Sequence, residues 1–250
     1  MTATLPATSL AIREYKATDR ARVREIACLT AFRNRGHGVL IDDASLFADY
    51  WTRYYTDIEP QSALVAERDG RVVGYCLGCL DTRAFQRAMA RVVAPPIVRT
   101  LLKRFVTGQY RGNATMRRVM RWLALTSWRE APPVDVEKFP AHYHLNLLRE
   151  GYGAGAYSEM ALRFLQRARE YGVVGMHGQV LDRRDGGVWS EMVRLFSSEH
   201  PHVEFVATSR RSSLAAVLLG DTRPMMNRAF GGDLDAYATF LQWLRRWRHL

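Results

Sequence analysis

The residues with the clearest chemical potential form a glycine-rich turn beyond the middle of the chain. Residues 141–148 indicate a β-strand, glycines stand at positions 151, 153 and 155, and residues 154–171 have the pattern of an amphipathic helix. The first backbone N–H groups of a helix have no partner within it, and the helix dipole adds about half a positive charge there. Glycines allow a phosphate to approach those groups. The pattern therefore predicts an anion-binding turn, and a glycine turn without a ligand is the alternative.

Two other phosphate-binding patterns fit this stretch less well. A dinucleotide-binding turn has the spacing G-x-G-x-x-G in the first βαβ unit of its domain, whereas here the spacing is G-x-G-x-G after about 140 residues. A P-loop ends in Gly-Lys followed by Ser or Thr, and no such pair follows these glycines. Neither of the two patterns explains the turn.

The composition sets broad limits on the kind of protein. The formal net charge is +11 and the sequence pI is about 10.0, which favours acidic partners. The odd number of cysteines favours a reducing compartment, and Cys76-x-x-Cys79 lies in a predicted strand with no second pair to complete a metal site. The N-terminus does not resemble a signal peptide, and no run of 18 apolar residues occurs, so we expect a cytoplasmic location.

The rest of the sequence predicts an α/β chain with an interruption. Before residue 82 the order is β-α-α-β-β, and the last two strands meet at the tight turn Asp69-Gly70. Residues 82–140 contain twelve Lys or Arg and three acidic residues, so they carry +9 of the net charge, and we predict three helices broken at Pro95-Pro96 and near residues 108–113. The later elements are expected at 141–148, 154–171, 174–181, 189–197, 203–208 and 233–248.

This order and the glycine run resemble the GNAT superfamily of N-acetyltransferases, whose Q/R-x-x-G-x-G/A turn binds the pyrophosphate of acetyl-CoA. The run from His142 to Leu148 is similar to the subgroup related to the acetyltransferase-like domain beside some O-GlcNAc hydrolases. The resemblance implies an α/β fold with a mixed, mostly antiparallel central sheet and flanking helices, in which strands 141–148 and 174–181 splay apart to admit the cofactor. It implies a single domain over residues 1–250, with residues 82–140 as a basic helical insertion. The cofactor contacts that it implies come from Leu147, Leu148, Arg149, Gly151, Tyr152, Gly153, Ala154, Gly155 and Ala156.

Two positions depart from the family pattern. The Q/R position is Glu150, which would place a carboxylate near the pyrophosphate, with Arg149 beside it to offset the charge. Many family members carry a tyrosine on a later helix that protonates the departing thiolate, and the nearest residues here are Phe196 and Trp189. Because a phenyl ring cannot donate a proton, the sequence names no general acid.

The candidate general bases lie on the strand before the glycine turn. His142, His144 and Asn146 share one face of that strand because strand side chains alternate. The resemblance places the thioester near the strand centre, close to His144, and an imidazole that titrates at about pH 6.5 can accept a proton from an ammonium. His144 is therefore the first candidate, followed by His142 and by Asp81 at the end of the preceding strand. The alternative for both histidines is a structural role.

The resemblance implies transfer of an acetyl group from acetyl-CoA to an amine acceptor, without a metal. The alternative is a catalytically weak or silent acyl-CoA-binding module that docks on an acidic partner or an anionic membrane through the basic insertion. A solvated outer face is the ordinary explanation of such a charge run. Nucleic acid is a less expected partner because no recognised binding module is present, and a homodimer stays open.

Overall fold

The computed structural model describes residues 10–39, 42–152, 155–184, 186–220 and 223–247. The first elements are strand β1 (Leu10–Glu14), helices α1 (Arg20–Asn34) and α2 (Ala44–Arg53), and strands β2 (Ala63–Arg68) and β3 (Arg71–Cys79). Asp43 begins α2, because its carboxylate accepts a hydrogen bond from the backbone N–H of Leu46. Asp69 and Gly70 both have positive φ, as a two-residue hairpin turn between twisted strands requires. The predicted order β-α-α-β-β is confirmed.

The insertion is helical and has the predicted break near residues 108–113, but it lacks the predicted break at Pro95-Pro96. Its helices are α3 (Thr82–Ala88), α4 (Ala94–Val106), α5 (Ala114–Leu125) and the short α6 (Ser127–Glu130). Pro95 and Pro96 do not break the chain's helical course, because a π-helical turn over Met89–Val93 joins α3 to α4. The two prolines occupy the first turn of α4, where a missing N–H costs no intrahelical hydrogen bond.

The second half of the chain contains two elements that the sequence did not predict. Its elements are β4 (His142–Leu147), α7 (Ala156–Glu170), β5 (Gly175–Arg183), α8 (Val188–Glu199), β6 (Val206–Ser212), α9 (Leu214–Leu219), β7 (Met225–Asp233) and α10 (Leu234–Leu244). Strand β7 and helix α9 lie where we expected no regular structure. The sequence of β7 has no β-branched residue and includes Gly231 and Gly232, so its local signal is weak.

The strands form two antiparallel sheets. The first sheet has the order β1-β2-β3-β4, and the second has the order β5-β7-β6, so the unpredicted β7 is the central strand of its sheet. A single parallel bridge between Ala141 and Met176 connects β4 to β5. The predicted mixed α/β fold with antiparallel strands and flanking helices is confirmed, although the expected central sheet is divided at this point.

Helices cover both faces of the first sheet. On one face α7 buries Met160 and Phe164 against β3 and β4, so closely that a Cβ built on Gly78 would lie 2.2 Å from the Phe164 ring. On the other face α1 and α2 form a core that also includes Ile97 of α4 and Met116 of α5. The insertion therefore packs beside α1 and α2. Within the described part of the chain, no helix is long and apolar enough to span a membrane.

Candidate active site

A gap opens where β4 and β5 diverge. The two strands are bonded only near Ala141, whose N–H donates to Gly175 O at 3.3 Å and whose carbonyl accepts from the N–H of His177 at 2.9 Å. Beyond that point lies a cavity of about 260 Å³. Its lining includes Tyr143 and His144 of β4, Gln179 of β5, Tyr157 of α7, Trp189 of α8 and Tyr237 of α10. The splayed strands that the sequence resemblance implied are thus present.

The backbone of β4 offers hydrogen-bonding groups to this gap. The N–H of Leu148 donates to Val73 O at 2.8 Å, and residues pair with a neighbouring strand at every second position. Residues 142, 144 and 146 therefore direct their backbone groups towards β3. Tyr143, Leu145 and Leu147 direct theirs towards the gap. Ala141 points the same way, and its backbone groups are hydrogen-bonded to β5. A ligand in the gap can extend the sheet through these groups.

The glycine turn leads from β4 into α7. Residues Arg149–Gly151 form a 3-10 turn, in which the N–H of Gly151 donates to Leu148 O at 2.8 Å and the N–H of Tyr152 to Arg149 O at 3.1 Å. These N–H groups are already satisfied and are less suited to bind a phosphate than the sequence suggested. Two of the predicted cofactor-binding residues, Gly153 and Ala154, lie outside the described residues.

The N-terminus of α7 has the features of an anion cradle. Gly155 precedes the helix with φ 70°, and a Cβ built there would meet nothing within 4 Å. The N–H groups of Ala156 and the following residues begin the helix, where anions are stabilised. Glu159 in the first turn is neutralised by Arg163, with Nε 3.0 Å from the carboxylate, and by Arg245, so its pKa is lowered. Repulsion of an anion by Glu159 is therefore small.

Glu150, the departure at the Q/R position, lies in the 3-10 turn. Its side chain is exposed to solvent, as is that of its neighbour Arg149. A solvated carboxylate interacts weakly with charges beyond about 10 Å at moderate salt. Exposure to water and salt therefore weakens any repulsion between Glu150 and a nearby anion.

His144 is the candidate base that both lines the cavity and has ring nitrogens without a hydrogen-bond partner among the described residues. Its ring contacts Trp51 edge-on, with centroids 5.0 Å apart, and Tyr55 at 5.8 Å. Within the described residues, neither ring nitrogen has a hydrogen-bond partner. Burial among these aromatic rings lowers the pKa of His144 to about 4. The imidazole is therefore neutral at physiological pH and can accept a proton, although burial makes it a weaker base than an exposed histidine.

His142 is held by hydrogen bonds at both ring nitrogens. Its Nδ1 lies 2.7 Å from Thr82 Oγ1, and its Nε2 lies 3.1 Å from the hydroxyl of Tyr55. Thr82 Oγ1 donates to the carbonyl of Pro140 at 2.7 Å, so it accepts from Nδ1–H, and Nε2 then accepts from the tyrosine. Burial holds the pKa of His142 well below its usual value. This geometry favours the structural role for His142, which links β4 to the π-helical turn after α2 and to the insertion.

Asp81 lies away from the gap. Its carboxylate accepts hydrogen bonds from the N–H groups of Arg83 at 2.8 Å and Ala84 at 3.0 Å, and it is the N-cap of α3. The side chain is largely exposed. Of the three predicted bases, the structure brings only His144 to the cavity with a free proton acceptor.

The cavity contains hydroxyl groups that the sequence analysis did not identify. Phe196 is fully buried in a separate aromatic cluster with Phe240 and Trp243, so it takes no part in the gap. Tyr143, Tyr157 and Tyr237 line the cavity instead. Tyr237 donates its hydroxyl to the Phe230 carbonyl. No local pattern brings these tyrosines together, because they lie on three different elements.

The hydroxyls of Tyr143 and Tyr157 interact electrostatically. Burial raises the pKa of Tyr157 to about 12, and burial together with the Tyr157 hydroxyl raises the pKa of Tyr143. Both phenols are therefore protonated at neutral pH and are available as donors. Cys76 and Cys79, by contrast, are buried free thiols in β3, as the strand interpretation predicted. Within the described residues, no group of three or more His, Cys, Asp or Glu is placed to hold a metal.

Comparison with known proteins agrees with this geometry. No family model matches the sequence. The structure is similar to the crystal structure of SsHAT, with 23% sequence identity, a TM-score of 0.56, and alignments covering 90% of this chain and 98% of that chain. It also aligns with the Drosophila melanogaster polyamine N-acetyltransferase that forms N-acetylagmatine, at 12% identity and a TM-score of 0.47, covering 90% and 100% of the two chains. A third alignment is with yncA of Salmonella typhimurium with its cofactor acetyl-CoA, at 14% identity and a TM-score of 0.45, covering 90% and 94%.

At these identities the similarity establishes a shared fold, and the SsHAT alignment carries that conclusion. The chain shares the fold of SsHAT, a mixed α/β arrangement with antiparallel strands and flanking helices. The divergence of β4 and β5 beyond Ala141 agrees with the splayed strands that the sequence resemblance implied.

Proposed function

We propose that the protein transfers an acyl group, in the simplest case acetyl, from a coenzyme A thioester to an amine. The observation that carries the proposal is the gap between β4 and β5, whose lining includes Tyr157 in the first turn of α7 and His144 of β4. A glycine turn alone would support only anion binding. The glycine turn together with the backbone groups of β4 that face the gap and the neutral imidazole of His144 supports acyl transfer.

The chain offers matching groups for the pyrophosphate, the pantetheine arm and the thioester of the co-substrate. The pyrophosphate would lie at the N-terminus of α7, where Gly155 leaves open space and the helix N–H groups have no partner within the helix. Leu145 and Leu147 present backbone N–H and carbonyl groups that can pair with the amides of the pantetheine arm. The thioester would then lie beside the middle of β4, where a backbone N–H can polarise its carbonyl oxygen.

His144 would act as the general base. The amine nitrogen attacks the thioester carbonyl carbon and forms the C–N bond, the C–S bond breaks, and coenzyme A leaves as a thiolate. The proton lost by the amine passes to the neutral imidazole of His144, directly or through water. The thiolate receives a proton from the Tyr143–Tyr157 pair, which fills the role that Phe196 cannot perform, and the proton held by His144 returns through water to the phenolate. Proximity of amine and thioester supplies much of the rate.

The proposal is tested by measuring binding and turnover together. Calorimetry with acetyl-CoA is expected to show binding to the wild-type protein, and release of free thiol with a panel of amines is expected to show transfer. His144→Ala is expected to lower kcat about 10²- to 10⁴-fold while the Kd for acetyl-CoA changes little. Absence of acetyl-CoA binding would refute the proposed cofactor site.

Asp81→Asn is the matched control for the base. Asparagine also caps a helix, so α3 is preserved while a carboxylate is removed. We expect this variant to retain turnover. If Asp81→Asn lost activity and His144→Ala kept it, the assignment of the base would be wrong. Binding of acetyl-CoA without thiol release from any amine would refute transfer and leave a binding module.

A further inference from the structure

The insertion exposes an unusual amount of apolar surface. Among the described residues, eight of the sixteen most exposed large apolar side chains belong to residues 82–140, which are about a quarter of the chain. Four of them lie on one side of α4 and are termed here the apolar stripe, with exposed fractions of 49% for Val98, 53% for Leu102, 48% for Phe105 and 81% for Val106. Residues at i, i+4, i+7 and i+8 share one helix face. A monomer in water gains nothing from exposing this face.

Basic side chains border the apolar stripe. Arg99 and Lys103 lie on α4 next to it and are exposed, and in the described part of the chain neither has an acidic partner. The same is true of three exposed arginines on α5, namely Arg117, Arg118 and Arg121. Elsewhere many arginines are paired with carboxylates on the protein, as Arg20 is with Asp57. The insertion therefore presents positive charge that the chain does not neutralise.

The aromatic side chains of the insertion add to this pattern. Trp128, which follows α5 on α6, is 65% exposed, and the guanidinium of Arg129 lies 4.7 Å from its ring centroid. Tryptophan and phenylalanine next to Arg and Lys are typical of the boundary between lipid headgroups and acyl chains. A bound nucleic acid or acidic protein would satisfy the charges, but charge alone does not account for four aliphatic and aromatic side chains in a row on α4.

We propose that the insertion binds the surface of a membrane that contains anionic phospholipid. Helix α4 would lie in the plane of the interface, with the apolar stripe among the upper acyl chains and with Arg99 and Lys103 at the phosphates. The neighbouring face of α4 remains anchored to the protein through Ile97 and Leu101, which are buried in the core. This inference does not depend on acyl transfer, because it uses no residue of the gap between β4 and β5.

Flotation with lipid vesicles tests the proposal on the whole chain. Phosphatidylcholine vesicles that contain phosphatidylserine are expected to bind the protein at ~0.1 M salt and to release most of it at ~1 M salt, where the Debye length is about 3 Å. Pure phosphatidylcholine vesicles are expected to bind much less. Arg99→Gln together with Lys103→Gln should weaken partitioning about 30-fold.

Two matched controls separate this surface from the net charge and from general hydrophobicity. Arg71→Gln with Arg210→Gln removes the same charge from exposed positions outside the insertion and should leave partitioning within about twofold. Leu102→Gln with Val106→Gln should weaken partitioning by about tenfold or more. Val174→Gln with Val188→Gln alters two equally exposed apolar residues elsewhere and should have little effect.

Each result of the flotation experiments either supports or overturns the proposed membrane binding. Binding that requires phosphatidylserine and falls in both insertion variants, but in neither control, supports the proposal. Binding that depends on salt but is unaffected by Leu102→Gln with Val106→Gln would show electrostatic attraction alone and would overturn it. Absence of vesicle binding, with or without binding of a soluble polyanion such as heparin, would also overturn it. Because all substituted side chains are exposed, circular dichroism should show every variant folded.

Discussion

Acidification is expected to destabilise the protein through His144. The folded state lowers the pKa of this imidazole from 6.5 to about 4 by burying it against Trp51 and Tyr55. Below pH 6.5 the unfolded chain therefore binds more protons than the folded one, and the free energy of unfolding falls as the pH falls. The loss begins below the unfolded pKa and is complete once the pH has passed below the folded pKa.

The expected size follows from the width of that window. At about pH 5 the unfolded imidazole is protonated and the folded imidazole is still neutral. This pH lies about 1.5 units below the pKa of the unfolded state, so the free energy of unfolding is lower by about 2 kcal/mol. Because the ring is partly exposed at the gap, this figure is the upper end of the expected range. His142 and His177 are also buried with lowered pKa values, so they add further acid sensitivity.

Urea unfolding at about pH 7.5 and about pH 5 measures the effect. His144→Gln removes the titrating group. Between about pH 7.5 and about pH 5, the free energy of unfolding of the variant should therefore fall by up to about 2 kcal/mol less than that of the wild type. His202→Gln, at an exposed position, serves as the control for loss of an imidazole. Equal pH dependence in the wild type and in His144→Gln would refute the reasoning, because the ring would then titrate alike in both states.

Three further substitutions test other parts of the structure. Gly78→Ala should cost about 1–3 kcal/mol of stability in urea unfolding, because the new Cβ would lie 2.2 Å from Phe164. Glu130→Ala should cost about 2–3 kcal/mol, because the buried carboxylate accepts hydrogen bonds from Ser213 N–H at 3.0 Å and from Trp122 at 3.3 Å. Gly155→Ala should cost about 1–2 kcal/mol for its positive φ and should weaken acetyl-CoA binding in calorimetry.

Each of these substitutions has a control within the same chain. A Cβ at Gly38 meets nothing within 4 Å, so Gly38→Ala should be nearly neutral. Glu137 is exposed and pairs only with Arg83 among the described residues, so Glu137→Ala should change stability by less than about 1 kcal/mol. Gly172, at the other end of α7, has φ 71° and open space, so Gly172→Ala should cost the same stability as Gly155→Ala without affecting acetyl-CoA binding. Equal loss of binding in both glycine variants would argue against a site at the N-terminus of α7.

Much of the fold could be predicted because its signals are local. Capping by Asp43 and the hairpin turn at Asp69-Gly70 each depend on residues within four positions of one another. The strand, turn and helix from β4 to α7 are equally local, and their glycine spacing pointed to the site. The basic insertion was visible in composition alone, since charge needs no structure to be counted.

The unpredicted parts depend on contacts between distant segments. Strand β7 carries a weak local signal but pairs with β5 on one side and β6 on the other, and those partners stabilise it. Pro95 and Pro96 predicted a break in the helix. They lie instead in the first turn of α4, which a π-helical turn joins directly to α3. Sequence periodicity cannot foresee either result, because both are determined by packing.

The sequence by itself determined which residue types are available at the site, namely the glycines of the turn and the histidines on one face of β4. Only the tertiary structure decided their chemistry. Hydrogen bonds with Thr82 and Tyr55, 60 and 87 positions away, occupy both nitrogens of His142, whereas His144 contacts aromatic rings and the open gap. Likewise, tyrosines from three separate elements line a cavity that exists only because β4 and β5 diverge. The physical reason is that burial and hydrogen bonding, which set proton affinity and access, depend on segments far apart in the chain.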